Sequence, residues 1–162
     1  MFWSDYSTQT VKDDYNQGLS LGTYTWEPYS DRLPNHRVFI GDISYKDPNQ
    51  GEAETCYFVA AITSAAEWPS IVKDMFLVAR DDIGLYGIRF YIRGKPWVVT
   101  VDDKMLFQNG QLKYMRVADN NSMWAPILEK AWAKVKGNYA QTDGGFVVNG
   151  LRSITGVPVF TY

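Results

Sequence analysis

Cys56 is the only cysteine of this chain, and it stands where a polar, turn-prone segment gives way to a long apolar run. If that run is a helix, Cys56 lies in its first turn, where the helix dipole and free N–H groups favour thiolate over thiol. Gln50 lies six residues upstream, and its amide has the chemistry to donate a hydrogen bond to an oxyanion beside the sulfur. Cys56 and Gln50 are therefore candidate catalytic residues. The alternative is that Cys56 is a small buried hydrophobe, the usual state of a lone cysteine in an apolar run.

The composition of the 162 residues is typical of one domain with a large core, because 46% are hydrophobic and 15% are aromatic. The formal charge of −2 shows no basic footprint, so we expect no nucleic-acid partner. One cysteine allows no internal disulfide, and the first residues, MFWSDYSTQTVKDD, do not resemble a secretory signal. No apolar run reaches the length of a membrane span. We expect an intracellular, cytoplasmic location, within a larger assembly.

The first half of the chain predicts an arm, a strand and two helices. Residues 1–35 show neither helical nor strand periodicity for long. We interpret them as an arm whose aromatic rings contact a partner or the domain itself. HRVFIGDIS (36–44) predicts a short strand, and the polar residues 45–54 predict a loop. CYFVAAITSAAE (56–67) predicts a helix buried on all faces. PSIVKDMFLVA (69–79) predicts a second helix that begins at Pro69.

The second half predicts a small antiparallel sheet and an amphipathic helix. Apolar residues alternate with other residues on both sides of Gly94-Lys95-Pro96, which is typical of a hairpin, and Asn109-Gly110 marks a second one. SMWAPILEKAWAKVKG (122–137) has helical spacing, with Ser122 or Asn121 as cap and Gly137 as stop. Its buried face comprises Trp124, Ile127, Leu128, Ala131, Trp132 and Val135. DGGFVVNGLRSITG (143–156) predicts a turn and one short helix.

Three segments together resemble the calpain family of cysteine proteases. Gln50-Gly51, four residues and then CYFVAAI are similar to the family's nucleophile segment, usually Gln-Gly-x-Leu-Gly-Asp-Cys-Trp-Phe-Leu-Ala-Ala. GIRFYIRGKPWVVTVDDKML (87–106) resembles the family hairpin that ends in an Asp-Asp pair, and SMWAPILEKAWAKVKGNYAQTDGG (122–145) resembles its Phe-Trp-x-x-Leu-Leu-Glu-Lys-Ala-Tyr-Ala-Lys helix and Gly-Gly turn. The order and spacing agree over roughly residues 36–158.

The resemblance implies a papain-like α+β fold, the first catalytic subdomain of a calpain core, over residues 36–162. In that family the nucleophile and the glutamine lie in the first subdomain, whereas the histidine and asparagine that complete the triad lie in the second. This sequence ends where the first subdomain ends, and its one histidine, His36, precedes Cys56 instead of following it. We therefore expect His36 to have a surface or structural role. Without a paired base the thiol is poorly activated.

Two positions depart from the family pattern in ways that bear on catalysis and on calcium. Glu54-Thr55 replaces Gly-Asp before the cysteine, which adds a side chain where substrate passes and a negative charge that disfavours thiolate. The family binds calcium through residues that match Asp47 and carbonyls near Ile40 and Asp42, but its glutamate ligand is Ser122 here. No cofactor is therefore expected, although calcium stays as the alternative. For Asp47 we favour a turn-capping role.

Two functions are compatible with these residues. In the first, the chain is a degenerate subdomain, inactive alone, that serves as a binding or structural module for a protein partner. In the second, it is the nucleophile half of a calcium-dependent cysteine endopeptidase that hydrolyses peptides once a second, histidine- and asparagine-bearing half is supplied. Whether the enzyme is active is therefore open at this stage.

Overall fold

The computed structural model describes residues 24–160 and has an α+β fold, as the sequence predicts. None of the helices it describes is long and apolar enough to cross a membrane. In chain order the elements are β1 (Tyr24–Pro28), α1 (Tyr29–Arg32), α2 (Cys56–Ala66), α3 (Pro69–Met75), β2 (Phe76–Arg80), β3 (Leu85–Ile92), β4 (Lys95–Asp102), β5 (Lys104–Gln108), β6 (Gln111–Leu112), α4 (Trp124–Lys136), a 3-10 turn (Ala140–Thr142) and α5 (Val147–Thr155).

Both predicted hairpins form. Strands β3 and β4 pair antiparallel from Leu85↔Asp102 to Ile92↔Lys95, so the turn is Arg93-Gly94, one position earlier than the Gly94-Lys95-Pro96 turn expected from the sequence. β2 pairs with the other side of β3 and completes a sheet in the order β2-β3-β4. The second turn is at Asn109-Gly110, where both residues have positive φ (52° and 79°), the conformation that a two-residue hairpin turn requires.

The second sheet contains a strand that the sequence did not predict. β1 pairs antiparallel with β5, from Tyr24↔Gln108 to Pro28↔Lys104, in the order β1-β5-β6. The aromatic rings of this part of the expected arm contact the domain: Tyr29 is buried and stacks on Phe107, and Trp26 lies against Tyr139. These two rings therefore pack on the domain itself, which is one of the two roles expected for the arm. Phe2, Trp3, Tyr6 and Tyr15 of the expected arm lie outside the described residues.

Helix α2 is the central helix, but one of its faces is exposed, contrary to the expectation of burial all round. Its buried residues are Tyr57, Phe58, Ala61, Ile62, Ala65 and Ala66. The Phe58 ring stacks on the Trp132 ring of α4, with centroids 5.0 Å apart, and Trp132 Nε1 donates to the Tyr57 hydroxyl at 2.9 Å. Cys56, Ala60 and Ser64 follow one another at four-residue spacing along the exposed face.

Two other predictions were wrong in detail. Residues 36–44 do not form a strand, and only a parallel bridge between Arg37 and Ser122 is present there. Helix α3 begins at Pro69 as expected but ends at Met75, because the following residues 76–80 pair with β3 instead. In the first place the backbone pairs only at Arg37, and in the second the pairing with β3, the next strand, decides the conformation of residues 76–80.

Helix α4 begins at Trp124, two residues after the start of the predicted segment, and stops before Gly137 as predicted. Its environment is more buried than its apolar stripe suggests. Ten successive residues, 124–133, are buried, including the charged Glu129 and Lys130. The Lys130 ammonium group reaches the Asp102 carboxylate and the Lys104 carbonyl, and so ties α4 to the ends of β4 and β5. Met123 precedes the helix, and neither Ser122 nor Asn121 caps it with a side chain.

The loop before α2 is held by backbone pairing with residues 113–116. Arg116 N–H donates to the Asn49 carbonyl at 2.9 Å, and Glu52 N–H donates to the Lys113 carbonyl at 3.0 Å. Between these bonds, Gly51 lies so close to the neighbouring chain that an added Cβ would be 1.9 Å from the Tyr114 carbonyl oxygen. The contact is with backbone, which cannot move aside without breaking the pairing. Gly51 of the Gln-Gly motif is therefore required for the fold of this loop.

We expect Gly51→Ala to lower the free energy of unfolding by about 2–3 kcal/mol, because the added methyl group forces the two backbones apart. Gly87→Ala is the matched control, since its added carbon meets the Val78 side chain at 3.2 Å and comes no closer than 3.7 Å to the Val78 backbone nitrogen. We expect it to cost less than about 1 kcal/mol. Urea unfolding of both variants measures the difference, and equal losses would contradict the close approach at Gly51.

Candidate active site around Cys56

Cys56 is the first residue of α2, and its side chain is exposed and not in a disulfide. The alternative of a buried packing residue is therefore wrong. The Thr55 carbonyl accepts hydrogen bonds from Phe58 N–H at 2.8 Å and Val59 N–H at 2.9 Å, which begins the helix at the thiol. The sequence places the cysteine at a helix N-terminus correctly, and the dipole of an 11-residue helix favours negative charge there.

Gln50 lies in the loop that leads into α2 and has an exposed side chain. Its Nε2 donates to the Ala53 carbonyl at 2.9 Å, which closes the turn Gln50–Ala53. A primary amide has two N–H donors, so this bond uses one and leaves a second. Gln50 and Cys56 make no side-chain hydrogen bond with each other within the described residues. The structure thus fixes how Gln50 is anchored in its loop.

Residues 143–144, which follow the 3-10 turn, contact Glu54 in the loop before Cys56. Glu54 N–H donates to Asp143 Oδ1 at 3.2 Å, and Gly144 N–H donates to the Glu54 carbonyl at 3.1 Å. Both backbone groups of Glu54 are therefore bonded to the 143–144 turn, while the Glu54 side chain is exposed. Sequence reasoning identified the Gly-Gly turn by resemblance but did not identify Asp143 as a contact of the cysteine loop.

Beneath the cysteine, a buried carboxylate joins three parts of the chain. Glu129 of α4 is 1% exposed; its Oε1 accepts from the Thr55 hydroxyl at 2.6 Å, and its Oε2 accepts from Met115 N–H at 2.8 Å. Thr55 is itself fully buried and directly precedes Cys56. The carboxylate therefore connects α4, the 113–116 segment and the start of α2. Burial raises the pKa of Glu129, while the bonds from Thr55 and Met115 lower it.

Sequence reasoning missed Glu129, although a signal was present. Glu129 follows Ala125 by four residues and precedes Trp132 by three, so it lies on the same helical stripe as apolar residues. A carboxylate on such a stripe must find donors inside the protein or remain costly. This pattern indicates that Glu129 is buried and hydrogen-bonded. It does not identify the donors, because Thr55 and Met115 lie on other segments of the chain.

The candidate calcium ligands do not fit a calcium ion, because hydrogen-bond donors already face their oxygens. The Ile40 carbonyl accepts from Asn120 Nδ2 at 2.7 Å and from Ser122 Oγ at 3.1 Å. The Asp47 carboxylate oxygen Oδ2 accepts from Ser44 N–H at 3.0 Å and from Trp124 Nε1 at 2.9 Å. Calcium requires a shell of oxygen ligands with several carboxylates. Within residues 24–160, no group of three or more His, Cys, Asp and Glu residues could hold a metal ion.

His36 lies in the core beside α1 and not at the exposed thiol. Its ring is 2% exposed, its Nδ1 is 2.8 Å from the Leu33 carbonyl oxygen, and its edge meets the Tyr29 ring. The contact with a carbonyl assigns the proton of the neutral ring to Nδ1. These contacts agree with the structural role expected from the sequence.

Comparison with known proteins identifies a family for this chain. The profile of the calpain family of cysteine proteases matches residues 6–162, and the chain belongs to this family. It is similar to Calpain-5 of Mus musculus, with 33% identity over 153 residues, which cover 88% of this chain and 24% of the relative. It is also similar to Calpain clp-4 of Caenorhabditis elegans, with 32% identity over 136 residues, 81% of this chain and 19% of the relative.

A plant relative, the calpain-type cysteine protease DEK1 of Zea mays, is 32% identical over 120 residues, covering 74% of this chain and 6% of the relative. The chain therefore spans about a quarter or less of the length of each of these three relatives. The family match begins well before residue 36 and so includes most of the segment that the sequence predicts to be an arm.

Glu129 makes the stability of the fold depend on pH in a predictable direction. Because its pKa is raised on folding, its contribution to stability is fully present below the ordinary glutamate pKa and is lost as pH rises through the folded value. Glu129→Gln removes this titration and retains one acceptor for Met115 N–H and one donor for the Thr55 oxygen. We therefore expect urea unfolding between about pH 4 and 7.5 to favour the Gln variant progressively over the unmodified chain.

Glu129→Ala is the complementary variant, because it leaves Met115 N–H and the Thr55 hydroxyl buried without an acceptor. We expect it to cost about 2–4 kcal/mol over the whole pH range. A stability difference between the Gln variant and the unmodified chain that does not change with pH would contradict the raised pKa.

Calcium should not stabilise this chain. We expect the thermal midpoint with 1 to 5 mM calcium, on the order of concentrations that saturate weak protein sites, to equal the midpoint with magnesium. Ser122→Glu adds a carboxylate at the position of the family's glutamate ligand. We expect calcium, but not magnesium, to raise the thermal midpoint of this variant. A calcium-specific rise for the unmodified chain would show that the donors around Ile40 and Asp47 give way to the ion.

Proposed function

We propose that residues 36–162 form the nucleophile-bearing first subdomain of a calpain-type cysteine peptidase, with residues 1–35 preceding it. In this proposal Cys56 is the nucleophile and Gln50 steadies the oxyanion. Alone, the subdomain does not hydrolyse peptides and serves as a binding or structural module. The observation that supports the inactive state best is the burial of His36, the one histidine of the sequence, against Tyr29 and Leu33 and not at the exposed Cys56.

The chemistry requires a base that this sequence does not place at the thiol. A cysteine peptidase forms a bond from sulfur to the scissile carbonyl carbon, and the carbonyl oxygen becomes an oxyanion that N–H donors stabilise. The thiol proton must pass to a base, which later protonates the leaving amine. His36 is buried against Tyr29 and Leu33, so the base has to come from a second, histidine-bearing half. That half is the partner we propose.

The two departures before Cys56 have different meanings. Thr55 is an internal residue whose hydroxyl donates to Glu129, so the change from aspartate is compensated inside the fold. Glu54, in contrast, has an exposed side chain two residues before Cys56 in the sequence, and in this proposal its charge and bulk oppose the binding of a substrate. Glu54 is therefore the residue that favours the inactive reading.

The second candidate is an active endopeptidase formed with a supplied second half, and a specific observation favours it. The loop that carries Gln50 keeps a close backbone approach at Gly51, and the thiol remains accessible. A chain kept only as a scaffold has no need of an exposed thiol at a helix N-terminus. The two candidates differ in whether Cys56 reacts as an activated thiolate in its native setting.

Labelling of the native source extract separates the candidates. We expect a peptidyl epoxide, which requires an assembled cysteine-protease site, to leave Cys56 unlabelled, while a simple alkylator labels it in the denatured control. Mass spectrometry of the peptide that contains Cys56 gives the readout. Labelling by the epoxide only under native conditions would mean that a histidine-bearing half is present, and the inactive reading would fall.

Glu54 provides the matched variants for the same assay. If its side chain blocks the site, Glu54→Gly should gain epoxide labelling when a histidine-bearing half is supplied, and Glu54→Gln, which removes the charge and keeps the bulk, should gain less. Cys56→Ala is the blank. Equal labelling of all Glu54 variants and the unmodified chain would show that Glu54 does not oppose catalysis.

A further inference from the structure

An open groove lies beside the hairpin β5–β6, away from the residues assigned to the cysteine site. Its volume is about 370 Å³, which is within the range of small-ligand sites. Its lining includes Tyr29, Arg32, Phe107, Leu112, Arg116 and Val117. The groove therefore combines two arginines with apolar and aromatic walls, and nothing in the proposed protease chemistry uses it.

The aromatic wall is rigid and holds one of the arginines. Tyr29 and Phe107 are each 4% exposed, and their rings stack with centroids 6.3 Å apart. The Arg32 guanidinium lies 4.9 Å from the Phe107 ring centroid, and its Nε donates to Glu27 at 2.7 Å. Its terminal nitrogens have no hydrogen-bond partner among the described residues. Arg32 is therefore oriented by its ring and its ion pair, with donors left over.

The second arginine is anchored through its backbone alone. Arg116 N–H bonds to the Asn49 carbonyl, while its side chain is exposed and its guanidinium meets no acceptor within residues 24–160. A guanidinium presents N–H donors in a planar fork that matches the two oxygens of a carboxylate. Arg32 and Arg116 thus present donors to one groove from two different segments.

The charge in the groove favours an anionic ligand. Arg32, Arg116 and the paired Glu27 together leave one positive charge, which one carboxylate balances and a phosphate dianion exceeds. The walls formed by Leu112, Val117 and Phe107 bury an apolar group beside that carboxylate. A peptide in which an acidic side chain adjoins an aliphatic one carries both features.

We propose that this groove binds an acidic peptide segment, with the carboxylate at Arg32 and Arg116 and the neighbouring aliphatic side chain against Leu112 and Val117. The proposal does not depend on the activity of Cys56. Because residues 113–116 pair with residues 49–52, the peptide would contact the segment that holds the Gln50 loop.

Titration of the full isotope-labelled chain with acetyl-Gly-Glu-Leu-Gly-amide tests the proposal by NMR. We expect saturable shifts at the amides of Leu112 and Val117, and binding at least about tenfold weaker for the same peptide with Gln in place of Glu. Binding should weaken as salt is raised. No saturable shift at these amides, or equal affinity for the two peptides, would overturn the proposal, as would tighter binding of inorganic phosphate than of the peptide.

Arginine variants assign the binding to the groove. We expect Arg116→Gln to weaken binding at least about tenfold, and Arg116→Lys, which keeps the charge without the fork, to weaken it less. Arg80→Gln is the matched control, because Arg80 is an exposed arginine paired with a nearby acid, Asp82, and does not line the groove. Unchanged affinity of both Arg116 variants, with native spectra, would overturn the assignment.

Discussion

The buried carboxylate of Glu129 is the constraint on which the geometry around the cysteine depends. It accepts from the residue that begins α2 and from the segment that pairs with the Gln50 loop, and both donors lie far from it in sequence. Burying a charge is unfavourable unless donors surround it. The start of α2 and the 113–116 segment are therefore both held against α4. Because Cys56 follows Thr55 directly, these bonds also fix the position of the Cys56 backbone.

Residues 33–55 have no helix or extended strand, yet their backbone is held at many points by side chains. Val38 N–H donates to Asp81, Ile40 N–H to Ser122, and Ser44 N–H to Asp47. Buried backbone groups outside helices and sheets need such partners. The resemblance implies a cation at the Ile40 carbonyl and the Asp47 carboxylate, but in this chain O–H and N–H donors face these oxygens. Hydrogen bonds therefore connect the loop to Trp124 of α4 and to the residues just before it.

The elements with strong local patterns were predictable from the sequence, and the strands whose conformation depends on their pairing partner were not. The β3–β4 hairpin, the Asn109-Gly110 turn and helix α4 follow from alternation, turn chemistry and helical spacing. β1 was missed because its partner β5 is about 80 residues away, and β2 was taken for helix because its pairing with β3 overrides its local preference. At the site, the motif located Cys56 and Gln50, but the exposure of the thiol and the role of Glu129 required the tertiary structure.

The separation in sequence between the cysteine helix and its supports sets an order of folding during synthesis. Thr55 is 74 residues from Glu129, and a ribosome adds roughly 5–20 residues per second. For several seconds the nascent chain carries a thiol at the start of a helix whose anchoring carboxylate has not been made. Closing contacts of this span is entropically slow, so the contact between Thr55 and Glu129 forms only after α4 has been synthesised.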